Sequence, residues 1–309
     1  MAKKMRNVAL TAKIEVTYGL DPVPTGLANA ILCRALAPQP LTAEFADRAT
    51  ARPFMGASPQ VFAAGYSVAE FEIELAGSGA AGTAPAWGPL LRACGISETI
   101  SAATSVTYAP VSTAHESVTL YYYFDGLMHK MTGCRGTVSF ELNAKAIPVM
   151  RFRMTGLHNV VTDTAMITAT LTGFIAPVAV NKVNTTTFTL HSYAAKMQSF
   201  TLDVANQVNY RNLVNNETVD IVDRNPAGTI NFEVDTVAAK AWQPIITAGT
   251  AGALSIIHGA TAGNICTIAA SKTQLLSPSY GEQDGIGMLS VPLAFLPTSG
   301  NDEFSLVLT

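Results

Sequence analysis

From Ala69 the chain alternates without a break. Phe71, Ile73 and Leu75 fall on one side, and Glu70, Glu72 and Glu74 on the other. This period of two predicts a β-strand with one buried face and one wet face. A later stretch repeats the pattern, with Ile230, Phe232 and Val234 set against Asn231, Glu233 and Asp235. Each strand is followed by a loop and a W-x-P-apolar-apolar frame. The first frame holds Trp87, Pro89, Leu90 and Leu91; the second holds Trp242, Pro244, Ile245 and Ile246. They predict two short helices, with Trp87, Leu90 and Leu91 anchoring the first and Trp242, Ile245 and Ile246 the second. These frames also contain both tryptophans of the chain. Tyr121–Phe124, then Asp125-Gly126, then Leu127–Thr132 predicts a hairpin, and Thr137–Leu142 a further alternating strand.

The resemblance between the two stretches extends along the chain. LTAEFADRATARPF (41–54) aligns without gaps to FTLDVANQVNYRNL (200–213), laying Phe45 on Val204. The same spacing carries Phe71, Ile73 and Leu75 onto Ile230, Phe232 and Val234, and IPVMRFRMTGL (147–157) lies over IGMLSVPLAFL (286–296). The order is kept and the gaps are loop-sized, which predicts an internal duplication. The expected division is an N-terminal arm over 1–40, a first unit over 41–161, a linker over 162–187 and a second unit over 188–309. The linker is rich in Thr and Ala, with Pro177 and Asn181 as breakers. Each unit reads as mainly β: antiparallel strands with one short flanking α-helix packed on the sheet.

Composition changes this picture in one respect. Only 13% of residues are charged although 49% are apolar, against a usual charged share of roughly 25%. So little charge points to large surfaces covered by other subunits. The net charge of −3 gives no basic footprint for tight nucleic-acid binding. Cys33, Cys94, Cys134 and Cys266 form no C-x-x-C pair and have no His at metal-ligand spacing, so they read as free thiols of a reducing compartment. Neither a signal peptide nor a stretch of about 20 apolar residues is evident. The expectation is synthesis in the cytoplasm, with no membrane partner.

Candidate chemistry is sparse. Gly77-Ser-Gly79-Ala-Ala-Gly82 matches G-x-G-x-x-G, but the strand before it carries three glutamates where a central parallel strand is apolar on both faces. The glycines do not open a helix directly, and the second stretch lacks them. There is no G-x-S-x-G elbow, and His115, His129, His158, His191 and His258 are scattered. The reading is not an enzyme, with no catalytic, cofactor-binding or metal-binding residues. The acidic stripe, Glu70, Glu72, Glu74, Glu233 and Asp235, cannot be buried cheaply. It is either an ordinary solvent face or the wall of a wet channel through which a polyanion passes.

Several stretches resemble the major tail tube proteins of long-tailed, non-contractile (siphovirus-type) bacteriophages, over nearly the whole chain. They include KIEVTYGLDPVPTGLANAIL (13–32), ELAGSGAAGTAPAWGPLLRACG (74–95), the run YYYFDGLMHKMTGCRGTVSFEL (121–142) and LSPSYGEQDGIGMLSVPL (276–293). The resemblance implies two tandem tail-tube-like β-sandwich or half-barrel units that polymerise into stacked rings. The rings form a hollow virion tail tube, assembled in the bacterial host cytoplasm, through which DNA is ejected. Partners would be further copies of the chain, the tail terminator, distal tail and tape-measure proteins, and DNA in transit. A duplicated chain predicts trimeric rings with pseudo-sixfold symmetry. The stretches 1–40, Arg48–Tyr66 and Ser97–Glu116 are candidates for ring-to-ring contacts. The alternative is a β-sandwich virion module binding a receptor or carbohydrate, for which Tyr121, Tyr122 and Tyr123 are the only aromatic cluster.

Overall fold

A computed structural model describes residues 2–309. It is mainly β, 52% strand and 5% helix. The chain forms β1 (Val8–Ile14), α1 (Gly26–Asn29), β2 (Ala30–Ile31), β3 (Arg34–Asp47), β4 (Gln60–Glu74), α2 (Gly88–Ala93), β5 (Ile96–Ser101), β6 (Ser105–Pro110), β7 (Val118–Phe124), β8 (Leu127–Asn143), β9 (Val149–His158) and β10 (Thr162–Asp163). It continues with β11 (Thr185–Leu190), β12 (Met197–Asp203), β13 (Asn206–Leu213), β14 (Asn216–Arg224), β15 (Ala227–Glu233), α3 (Trp242–Thr247), β16 (Ala251–His258), β17 (Cys266–Leu275), β18 (Ser279–Gln283), β19 (Ile286–Phe295) and β20 (Ser305–Leu308).

The antiparallel pairings of the two halves run in parallel lists. In the first, β3 pairs β4, β4 pairs β9, β9 pairs β8, β8 pairs β7 and β10, and β7 pairs β1. In the second, β12 pairs β15, β15 pairs β19, β19 pairs β17 and β18, β17 pairs β16 and β20, and β16 pairs β11. Registers coincide as well. Phe71 faces Phe152 and Ile73 faces Met150, while Ile230 faces Val291 and Phe232 faces Leu289. The first alignment window, however, is out of step. Phe45 faces Phe62 and Val208 faces Ile221, so Phe45 corresponds to Val208 rather than Val204. A slip of four residues keeps the in–out phase of a strand, so alternation could not detect it.

β8 turns one sheet into two layers. Its first half pairs β7, its second half pairs β9, and the register breaks between Thr132 and Arg135. Gly133 sits at the break with φ +60°, where a Cβ would lie 2.7 Å from the Tyr18 hydroxyl oxygen. Its N–H donates to Glu15 Oε1 at 2.7 Å. Ser117, Thr119 and the Gly19 N–H also donate to this buried carboxylate, so β1, β7 and the bend of β8 are pinned together. Phe71, Phe152, Val138 and Phe140 fill the interior, and Leu90 and Leu91 of α2 are fully buried.

Three sequence expectations change. The segment expected as an arm contains β1, paired with β2 and β7, with Leu10, Thr11 and Ala12 at most 2% exposed. Both faces of β1 carry buried residues, so it shows no clean alternation. β3 also crosses the expected boundary at 40/41. The stretch Ser97–Glu116 is not a free loop: β5 and β6 form a hairpin, and β6 pairs β20. It thereby extends a sheet of the second half, in the order β11-β16-β17-β20-β6-β5. The expected linker begins with β10 and reaches into β11, and Val180 in its middle is buried and bonded to both Lys145 and Ala146.

Candidate assembly surfaces

The two halves share one sheet. Ser139–Asn143 of β8 pairs Asp203–Ser199 of β12, giving the continuous antiparallel order β3-β4-β9-β8-β12-β15-β19-β18. One face is core. The other is polar across its width, with Glu70, Glu72 and Glu74 on β4, Thr137, Ser139 and Glu141 on β8, Thr201 and Asp203 on β12, and Asn231 and Glu233 on β15.

This face is not the bare acidic stripe expected from sequence. Arg153 reaches Glu70 at 3.0 Å, and Arg151 reaches Glu141 at 2.9 Å and Glu72 at 3.4 Å. Arg34 lies 3.6 Å from Glu74, and Lys196 lies 3.1 Å from Glu233. Each half-exposed pair is worth at most about 1 kcal/mol, so the lattice sets charge distribution more than stability. Asp235 falls past the end of β15. It accepts a hydrogen bond from the Tyr193 hydroxyl at 2.6 Å, which holds its carboxyl below the usual range. The arginines were missed because they stand on strands far along the chain, opposite the glutamates only once β4, β9 and β3 are paired.

The ends of the shared sheet are open. Among the described residues, β3 pairs only β4 and β18 pairs only β19. Such edges present unpaired N–H and C=O groups to any neighbouring strand. Exposed apolar side chains gather beside them: Leu41, Phe45, Val61 and Phe62 on the β3–β4 hairpin, and Leu276 and Tyr280 by β18. The β13–β14 hairpin contrasts with this, because it lies on the first half of its own chain. Tyr210 packs on Tyr66 with ring centroids 5.0 Å apart. Arg135 donates to the Val219 carbonyl at 2.9 Å and to Asp220 at 2.8 Å. The Tyr18 hydroxyl accepts from the Val219 N–H at 2.6 Å. Burial pushes the Tyr18 phenol up to about 12, despite this bond and the nearby Arg135 charge.

The sequence profile of the family described as phage tail tube protein matches residues 5–295. This chain belongs to that family. A comparison with curated proteins finds no match. As a tail tube protein it is a structural component of the virion tail that self-assembles into the tube.

The remaining predicted positions sit in the tail tube protein as follows. Trp87 is 2% exposed, donates from Nε1 to the Ala76 carbonyl at 3.1 Å and packs on Tyr108 of the β5–β6 hairpin at 5.6 Å. Trp242 is 8% exposed and packs on Phe232 at 5.1 Å and Tyr193 at 5.7 Å. Ile245 and Ile246 are only partly buried against the core, because no hairpin covers α3 as β5–β6 covers α2. The glycine-rich loop ties the halves together: the Gly77 N–H donates to Asn264 Oδ1 and the Gly79 N–H to the Gly263 carbonyl. Among the described residues no three His, Cys, Asp or Glu side chains are grouped to hold a metal. His191 and His258 are buried against carbonyl oxygens of Thr273 and Val178. Burial pushes the Cys33 thiol up to about 11 and that of Cys266 to about 12.

Proposed function

We propose that this chain is two tandem copies of one tube-forming unit, and that three chains close into a pseudo-sixfold ring. Rings stack into a hollow tube, and the polar face of the shared sheet lines the bore through which DNA leaves. The observation that carries this reading is the β8·β12 joint. By their partners, β12 corresponds to β3 and β18 to the second half of β8. The pairing inside the chain is therefore the same pairing that its two open ends can make with neighbours. Carrying over its register sets Ala37 against Gly281 and Gln39 against Ser279 of the next chain. Pro38 and Pro40, tolerated on an edge strand, limit that ladder to a few bonds.

The bore so formed is weakly acidic. In the first half Glu70, Glu72, Glu74 and Glu141 outnumber Arg34, Arg151 and Arg153; in the second, Asp203 and Glu233 outnumber Lys196. A mildly negative wall repels DNA, and its arginines are already engaged by carboxylates, so passage without adhesion follows. Assembly in the host cytoplasm and contacts with terminator, distal tail and tape-measure proteins belong to the same reading. Negative-stain microscopy of the purified chain tests it. Tubes or rings with a central hole are expected; dispersed particles at every concentration and salt condition would reject it.

A further inference from the structure

Resting on the ring reading, we infer that the β3–β4 hairpin of one chain lies on the second half of the next chain, in the place that β13–β14 occupies on the first half. The two hairpins correspond through their registers, with Phe45 and Phe62 standing where Val208 and Ile221 stand. In β13–β14 that face is used: the Ile221 side chain lies over Gly95, and Asn206 donates to the carbonyls of Cys94 and Gly136 at 2.6 and 2.9 Å. In β3–β4 it is bare. Phe45 and Phe62 touch each other edge to face at 6.0 Å, yet remain 55% and 54% exposed.

The receiving surface is bare in the matching way. Gly95 and Gly249 both end their helices in the left-handed region, at φ +71° and +61°. The turn over 93–96 is buried beneath β13–β14, whereas the turn over 247–250 is exposed. Gln274 reaches this turn, its Nε2 lying 3.4 Å from where a Cβ on Gly249 would stand, and Leu276, two residues further along the chain, is 43% exposed. Gln274 faces Ala294 as Arg135 faces Thr155, so it offers a polar side chain where Arg135 grips the inner hairpin. The donor hairpin continues the β3 edge and the receiving turn lies on the β18 side, so ring closure brings both pairs together at one interface. Two exposed phenylalanines at an open sheet edge are an association surface, and the chain's own second half is shaped to take them.

Two variants that each add one cysteine to the four native ones, Phe62→Cys and Ala248→Cys, test the inference when mixed, assembled and oxidised, with wild-type chain as the control for native thiols. A covalent dimer that forms only in the mixture is expected. The double variant is expected to close into a covalent trimer. Tubes that form normally with no cross-link would overturn the hairpin placement and leave the ring reading standing. If wild-type chain never leaves the monomer, the ring reading falls and the placement with it. Where the cysteines block assembly, Phe45→Asp with Phe62→Asp serves instead. Its melting curve should match wild type because both side chains are exposed, and it should form no rings; rings of normal yield would overturn the placement.

Discussion

Trp87 and Trp242 offer a matched pair of perturbations, the same residue in the same frame under different cover. A buried tryptophan removes about 200 Å² from water, on the order of 5 kcal/mol at ~25 cal/mol per Å². Replacing Trp87 by alanine also strands the Ala76 carbonyl, which accepts from Nε1 at 3.1 Å. The hole stays enclosed, since Tyr108 and the fully buried Leu90 and Leu91 surround it. Trp87→Ala is therefore expected to cost about 4–5 kcal/mol. Trp242→Ala opens a space that water enters past the half-buried Ile245 and Ile246, with an expected cost of about 2–3 kcal/mol. Urea titration followed by circular dichroism, on unassembled chain verified by size exclusion, measures both. Equal costs, or a larger cost at Trp242, would refute the argument that the β5–β6 hairpin is what seals the first helix.

Deleting residues 2–14 removes β1 and its buried Leu10, Thr11 and Ala12; loss of cooperative melting is expected, and a soluble, normally melting truncation would contradict it. Glu15→Gln leaves one oxygen to serve four donors at the bend of β8, so a loss of about 2–3 kcal/mol is expected by urea titration. Burial holds His191 and His258 below the usual imidazole range. The unfolded chain then binds protons more readily than the folded one. Stability should be full above about pH 6.5 and decline as pH falls through the depressed folded values. Calorimetry from pH 7.5 to 5 should show a falling melting temperature; a flat profile would contradict this.

Alternation over Glu70–Leu75 and Ile230–Glu233 placed both strands and their faces, since a half-buried strand writes its orientation into every second residue; Val234, expected on the buried face, lies past the end of β15 and is 41% exposed. The W-x-P frames located both helices for a similar reason: a large anchor and a proline leave little choice. What alternation does not encode is partner identity. Val8–Ile14 is enclosed on both sides and rich in small residues, so alternation, which is legible only from Lys13 to Tyr18, did not mark it as a sheet member. Ser97–Glu116 looked like an insertion because its partner, β20, stands at the other end of the chain. The arginines across from Glu70 and Glu72 were hidden in the same way, by contacts that exist only after distant strands pair. Phe45 was aligned to Val204 because an even slip leaves a strand's pattern unchanged.

The number of chains in one ring tests the account most directly, because the proposed two units per chain, set in the sixfold wall that the resemblance implies, require three. Mass per unit length of assembled tubes, combined with the axial ring spacing from cryo-electron microscopy, gives that number. Three chains of 32.5 kDa per ring, with six near-equal lobes in the end-on average, are predicted. Six chains per ring, or three without sixfold modulation of the wall, would contradict it.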